Sequence, residues 1–412
     1  MAIEKNPYDL AKSNVVPMPM EAAEESSASF EVEPDGGVTV DFGSEEVLMD
    51  EEPIGLGEWY DDLCEKMDED DLNDIAIQVY DNYQSDKESR GEWEDMFERG
   101  FDLLGLKLQD ATEPFEGACT AVHPLLIESA VKFQSKASQE LFPAAGPVKT
   151  QIIGKQTPEK EMQANRVKDF MNYQLTEQMT EYFDEFERML FHLPLIGSAF
   201  KKIYYDANLK RPVSEFVPID QFYVSYYASD LRRADRYTHV IYRSPNDLKR
   251  DISAGIYNEI DLPQAGIPEQ GALEEKMNTI LGFSPSSDND PQYVLLEQHC
   301  YLDLPEPYND PDNVALPYIV TVEEKSKRVL SIRRNFNQDD PNREKKIHFT
   351  HYRFVPGFGF YGFGLIHFLG NLTMTASAAM RALVDAGQFA NLPGGFKAKG
   401  VRVVGDNDPI AP

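Results

Sequence analysis

The residues with the most pointed spacing are glycines. Gly357, Gly359 and Gly362 spell GxGxxG, directly after a β-prone run and directly before a helical one. A dinucleotide site uses that arrangement to bring backbone N–H groups against a pyrophosphate. The surroundings here differ from such a site. Pro356, Phe358, Phe360 and Phe363 crowd the turn, and Gly364 adds a fourth glycine. The acid that binds ribose belongs at the end of a second parallel strand, about 20 residues on, whereas Asp385 lies within the helix itself. Gly357, Gly359, Gly362 and Gly364 therefore read as a flexible, aromatic-packed hinge loop that aims the helix after it. No cofactor is expected, and an NAD(P)-binding oxidoreductase is the alternative reading.

Other reactive side chains are dispersed. His348 and His351 are three apart on a β-prone run. That spacing sends them to opposite faces, so they do not converge on a metal. His299-Cys300 reads as half-buried sheet rather than a nucleophile beside its base, and His192 as a helix-end histidine near the negative pole of the helix dipole. The carboxylate runs Asp61-Asp62, Asp68–Asp71 and Asp339-Asp340 lack apolar neighbours and read as solvated faces. No GxxxxGK[ST], HExxH or GxSxG occurs. No catalytic residue and no metal ligand is assigned, and the chain reads as a non-enzyme.

The elements that would position these residues change period along the chain. Residues 1–56 are rich in Glu, Asp, Ser, Pro and Gly and are expected to be disordered, an acidic tail. From Trp59 to about Phe142 the apolar spacing is helical: Leu63, Met67, Ile75, Val79 and Tyr83, then Trp93, Phe97, Phe101 and Leu104, then Leu126, Ala130, Phe133 and Ala137. Pro158 to His192 reads as one long helix carrying Val167, Phe170, Met171, Leu175, Met179, Phe183 and Phe186. After Gly197 the period becomes two. A hairpin is expected from 200–205 and 213–217, with further strands at 222–227, 237–242, 293–302, 318–322, 329–334 and 349–355. Ser244-Pro245 caps a short helix, and another lies near 273–281 within a Pro- and Gly-containing excursion. A final helix runs from Leu365 to about Ala386, stopped by Gly387, with Leu365, Leu369, Leu372, Ala376, Ala379, Met380 and Leu383 as its apolar stripe. Its many small residues suit close packing of helix on helix. Beyond it lie the bases Lys397, Lys399 and Arg402.

Composition narrows the classes. With 42% hydrophobic and 11% aromatic residues in 412, the chain as a whole can build a core. It carries 71 acids against 39 bases, a formal net charge of -32. Residues 1–100 account for 30 of the acids and 6 of the bases. Such acidity argues against a DNA-coating protein, whose affinity comes from basic side chains that release counterions. No stretch approaches the roughly 20 apolar residues of a spanning helix, and no membrane partner is expected. Three scattered cysteines, Cys64, Cys119 and Cys300, suit a reducing compartment. The N-terminus lacks the features of a signal peptide, so synthesis in a cytoplasm is expected.

Two blocks resemble a known family. Residues 113–154, EPFEGACTAVHPLLIESAVKFQSKASQELFPAAGPVKTQIIG, are similar to an early wing-domain helix with a Leu-Phe-Pro ending. Residues 351–403, from HYRFVPGFGFYGFG to KAKGVRV, resemble a tyrosine–glycine loop, a first stem helix and the entry to a clip. The segment VPIDQFYVSYYASDLRRADRYTHVIYR between them fits as well. The family is the portal, or head-to-tail connector, proteins of tailed bacteriophages, particularly short-tailed ones. The resemblance implies an α+β wing over 57–360, a first stem helix over 361–391 and the start of a clip over 392–412, where the chain reads as truncated. It also implies a homo-oligomeric ring, a dodecamer at one capsid vertex, through which double-stranded DNA is packaged and ejected. Leu365, Leu369, Leu372, Ala376, Ala379, Met380 and Leu383 would pack the ring. Lys397, Lys399 and Arg402 would begin the clip, facing DNA or motor, or would be ordinary solvated bases. Implied partners are the terminase large subunit, tail adaptors and capsid or scaffolding proteins. The implied location is the virion, with the host cytoplasm during assembly. A non-portal virion adaptor is the remaining alternative.

Overall fold

The apolar spacing from Trp59 onward is realised as helices that lie on two antiparallel sheets. The computed structural model describes residues 29–32, 38–41, 58–106, 118–206, 209–269, 271–283, 291–306, 308–310 and 314–391. Contacts divide the chain into two units, Met1–Gly57 and Glu58–Pro412. In the first, β1 (Ser29–Val32) and β2 (Val38–Asp41) pair antiparallel, Ser29 opposite Asp41. The remainder of the expected acidic tail lies outside the described residues.

In the second unit α1 (Glu69–Ser89) buries Ile75, Ala76, Val79 and Tyr83, and α2 (Gly91–Asp102) buries Phe97, Gly100 and Phe101. Between them stands Arg90, a buried cation. Its guanidinium donates to the carbonyls of Ile219 (2.8 Å) and Phe222 (2.7 Å), pairs with Glu94 at 2.6 Å and lies 3.7 Å from the centre of the Tyr223 ring. A desolvated charge is tolerable only with such partners. The next helix, α3 (Leu125–Leu141), buries Leu126 and Ala130.

The single helix expected over 158–192 is two. Helix α4 (Pro158–Tyr173) widens into a π-helical turn at Gln174–Gln178 and ends at Met179, and α5 (Tyr182–Ile196) starts afresh. The Thr176 hydroxyl bonds the carbonyl of Asn172 at 2.9 Å, a competitor for the helical ladder. Met179 is buried there, so the chain turns to place it in the core, while α4 itself buries nothing.

The period-two region builds the two sheets. Strands β3 (Ser198–Asp206), β4 (Arg211–Val217) and β10 (Phe349–Arg353) lie in the order β10-β3-β4. The order β5-β6-β7-β8-β9 is a meander of β5 (Phe222–Val224), β6 (Arg236–Arg243), β7 (Tyr293–Leu302), β8 (Leu316–Glu323) and β9 (Arg328–Arg334). Every pairing is antiparallel. The sheets meet on an aromatic seam, with Phe222 at 4.2 Å from Phe200 and 4.9 Å from Phe349 between ring centres. The strand expected over 222–227 is shorter than that. It stops at Val224, where Ala228 N–H turns back to the Ser225 carbonyl at 3.1 Å, and Tyr226 and Tyr227 leave the sheet.

Helix α6 (Pro245–Ser253) is capped as its Ser-Pro start predicts: Asp247 N–H donates to Ser244 Oγ at 3.1 Å. Helix α7 (Ala272–Leu281) matches the expected helix in the excursion. The last helix, α8, spans Leu365–Asn391 and passes through Gly387 instead of stopping there. One glycine in a helix costs only about 1 kcal/mol against alanine, too little to end it. The architecture is α+β, and among the described residues no helix is long and apolar enough to cross a membrane.

Candidate functional site

The glycine loop is a backbone clamp. Helix α5 ends at Gly197, whose φ of 98° is left-handed, and the loop crosses that residue. A Cβ on Gly362 would stand 2.4 Å from the Gly197 carbonyl, and one on Gly364 would stand 2.3 Å from that of Leu195. Gly357 is similarly closed off by the Tyr361 carbonyl, whereas Gly359 meets nothing within 4 Å and Phe358 is fully exposed. The hinge expectation thus splits: Gly362 and Gly364 are crossing points, and only Phe358-Gly359 projects freely.

The loop's N–H groups are committed inside the chain. Gly362 N–H donates to Ser198 Oγ at 2.8 Å, Phe363 N–H to the Val355 carbonyl at 2.8 Å, and Gly364 N–H to His367 Nδ1 at 3.0 Å. Those are donors a pyrophosphate would need, and the strand before the loop is antiparallel to its neighbour. The aromatic residues fix the loop sideways. Phe360 stacks on His351 at 4.5 Å and Tyr361 on Trp93 of α2 at 4.9 Å. The Tyr361 hydroxyl reaches Arg90 at 3.5 Å. Helix α8 therefore leaves a junction held by α2, α5, β3 and β10.

Within the subunit, α8 packs on a face that the expected stripe shares only in part. Its buried line is Ile366, Gly370, Thr373 and Ser377. At Gly100 of α2 an added Cβ would lie 2.5 Å from Ile366 Cγ2, so the two helices cross closely there. Of the expected stripe, Leu365 and Leu369 pack against the core, Ala376 and Met380 are half-buried, and Leu372, Ala379 and Leu383 face out. The cause is a polar ladder along the helix, one turn per step. Ser377 Oγ accepts His123 N–H at 2.9 Å, Arg381 donates to the carbonyls of Ala121 (2.8 Å) and Thr120 (3.1 Å), and Asp385 accepts Cys119 N–H at 2.8 Å. These side chains hold the extended segment 118–123, and they draw the polar side of α8 inward. Sequence reasoning missed them; the i, i+4, i+8 spacing of Ser377, Arg381 and Asp385 was the signal.

The histidines are packing groups. His348 and His351 do diverge, His348 Nε2 lying 3.1 Å from Asn335 Oδ1 and His351 Nε2 lying 3.1 Å from Ser198 Oγ. His299 Nε2 meets Glu297 at 3.1 Å, and Lys202 meets the other oxygen of Glu297 at 2.7 Å. Burial would raise the Glu297 pKa, but Lys202 and His299 hold it well below the carboxylate range. His192 is not a dipole-stabilised cation: burial, aided by Arg188, pushes its pKa down to about 4, and its ring rests 5.3 Å from that of Phe216. Among the described residues no three His, Cys, Asp or Glu groups are arranged to hold a metal ion.

No protein-family model and no curated protein matches this chain.

What the geometry leaves uncovered is the outer face of α8. Phe368, Leu372, Ala379 and Leu383 recur at four- and seven-residue steps opposite the buried line, and Leu383 is 76% exposed. The final turns add Ala382, Ala386 and Ala390, also exposed. Lys397, Lys399 and Arg402 lie outside the described residues.

Proposed function

We propose that this chain is a portal subunit. Twelve copies form a ring at one capsid vertex, conduct double-stranded DNA during packaging and ejection, and dock the terminase large subunit, tail adaptors and capsid or scaffolding proteins. In this reading 57–360 is the wing, 361–391 the first stem helix and 392–412 the beginning of the clip. The subunit itself catalyses nothing. It works at the portal vertex of the virion after assembly in the host cytoplasm.

The observation that carries the reading is α8, about 40 Å long by its rise per residue, clamped at its start and uncovered along its outer face. Its last turns, almost four of them, extend past Ser377, the final buried residue. Isolated helices of that length are marginal in water, and a continuous apolar stripe on one calls for a covering surface. Alanines on that stripe let a second backbone come close. In a ring the outer face of α8 in one copy meets a different face of α8 in the next, a head-to-tail contact that closes where the rotation between copies allows. The acidity fits a conduit, because strong phosphate binding would oppose sliding.

The test is substitution on the uncovered face. Leu372→Asp and Leu383→Asp are expected to leave the circular dichroism and melting temperature of the subunit unchanged and to abolish large assemblies in sedimentation velocity. Variants that assemble like the parent chain would remove the support from α8.

A further inference from the structure

The loop joining β5 to β6 presents a surface that the fold does not need. Ala228, Leu231 and Ala234 are buried and anchor it at three-residue intervals. Asp230 Oδ1 accepts Arg232 N–H at 2.8 Å and Arg233 N–H at 2.9 Å, and Ala234 N–H closes a turn on the Asp230 carbonyl at 3.0 Å. Lys345 adds a hydrogen bond to the Ala234 carbonyl. The backbone is thus fixed, yet the large side chains point away from it. Tyr226 is 70% exposed and Tyr227 92%, their rings in edge contact at 5.2 Å. The Arg233 side chain is 82% exposed and reaches Asp230 only at 3.8 Å, and Arg232 is exposed beside it. Rigid, outward tyrosines and arginines are the residue types that dominate protein interfaces.

A complementary surface lies on the same unit. Along the outer side of α1, Asp70, Asp74, Ile77 and Asp81 follow one another at helical spacing and are all exposed, Ile77 among the carboxylates. None of these three carboxylates meets a cation among the described residues. We propose that the Tyr226-Tyr227/Arg232-Arg233 loop of one copy docks on the Asp74–Ile77–Asp81 face of α1 in the next copy. The arginines would meet the carboxylates and a tyrosine ring would cover Ile77. Charge decides the occupant: a nucleic acid would be repelled by a chain of net charge -32, whereas α1 offers matched carboxylates with an apolar centre. Because the two surfaces are unlike, the contact is head-to-tail. This inference rests on the ring reading and specifies where wing meets wing.

The experiment is a charge swap on the full chain, read as the protein concentration at half-assembly by sedimentation and mass photometry. Arg232→Glu with Arg233→Glu should raise that concentration by about tenfold or more, as should Asp74→Lys with Asp81→Lys. All four together should return it to within about threefold of the parent. Both helical changes lie beyond the first turn and replace Asp by a better helix former, and circular dichroism checks each fold. Rings that form equally well in the arginine variant, or a quadruple variant without rescue, would overturn this contact and leave the ring. Swap-dependent pairs without rings would keep the contact and overturn the ring. A parent chain that stays monomeric at every soluble concentration would overturn both.

Discussion

The four loop glycines look alike as letters and differ as atoms. At Gly364 and Gly362 a methyl group would be driven into the carbonyls of Leu195 and Gly197, which belong to a helix end and cannot yield. At Gly359 a methyl group meets open space and the backbone is not left-handed. Gly364→Ala is therefore expected to lower stability by about 3 kcal/mol or more. Gly359→Ala should be neutral or gain about 0.5 kcal/mol by restricting the unfolded chain. Urea titration of the two variants checks the contrast, and equal losses would contradict the clamp. The buried histidines make a second claim at this scale. Burial holds His239 at about 3, His348 at about 4 and His351 at about 3, against 6.5 when exposed. Between these values the unfolded chain binds more protons than the folded one, so stability falls as pH falls from about 6.5. Glu297, held low by Lys202 and His299 against its burial, adds a loss in the same direction at lower pH. The melting temperature should drop steadily from pH 7 to pH 4. His239→Phe, whose ring would remain edge-on to Phe349, should flatten that slope; an unchanged slope would place the proton uptake elsewhere.

At the scale of elements, the sequence period foretold most of what the fold contains. The hairpin of β3 and β4, the strands of the five-stranded sheet and the start of α8 follow from alternation and punctuation that local sterics enforce, whereas the order of those strands does not. The misses share a cause, since each depends on a partner distant in sequence. Ser377 points inward because its hydroxyl finds the His123 N–H and the Thr373 carbonyl, a satisfaction that no apolar count registers. The break after Gln178 serves the burial of Met179, and β5 ends early because its neighbour β6 begins only at Arg236. The candidate site was legible in its location, the loop and α8, but not in which face of α8 stays outside. The polar ladder yields a local prediction. Asp385→Ala and Ser377→Ala should each release segment 118–123, with faster hydrogen exchange at the amides of Cys119 and His123, at a cost of about 1 kcal/mol apiece. Unchanged exchange would mean that the segment is held by something other than α8.

At the scale of the molecule, three exposed surfaces stand out: the outer stripe of α8, the tyrosine–arginine loop and the acidic face of α1. Leu372, Ala379 and Leu383 lie exposed on the side of α8 away from Ser377, Arg381 and Asp385, which hold segment 118–123. In the proposed ring, repetition of one subunit around an axis would cover these surfaces, and α8 packed against its copies would surround a channel. The clamp of Gly362 and Gly364 on Gly197 would then set the angle at which each α8 enters the proposed ring. The measurement that tests this most directly is symmetry-averaged negative-stain imaging of end-on views at the highest soluble concentration. The proposed function predicts rings of twelve subunits around a central channel. A chain that stays monomeric there, or that assembles only into particles without a channel, would contradict it.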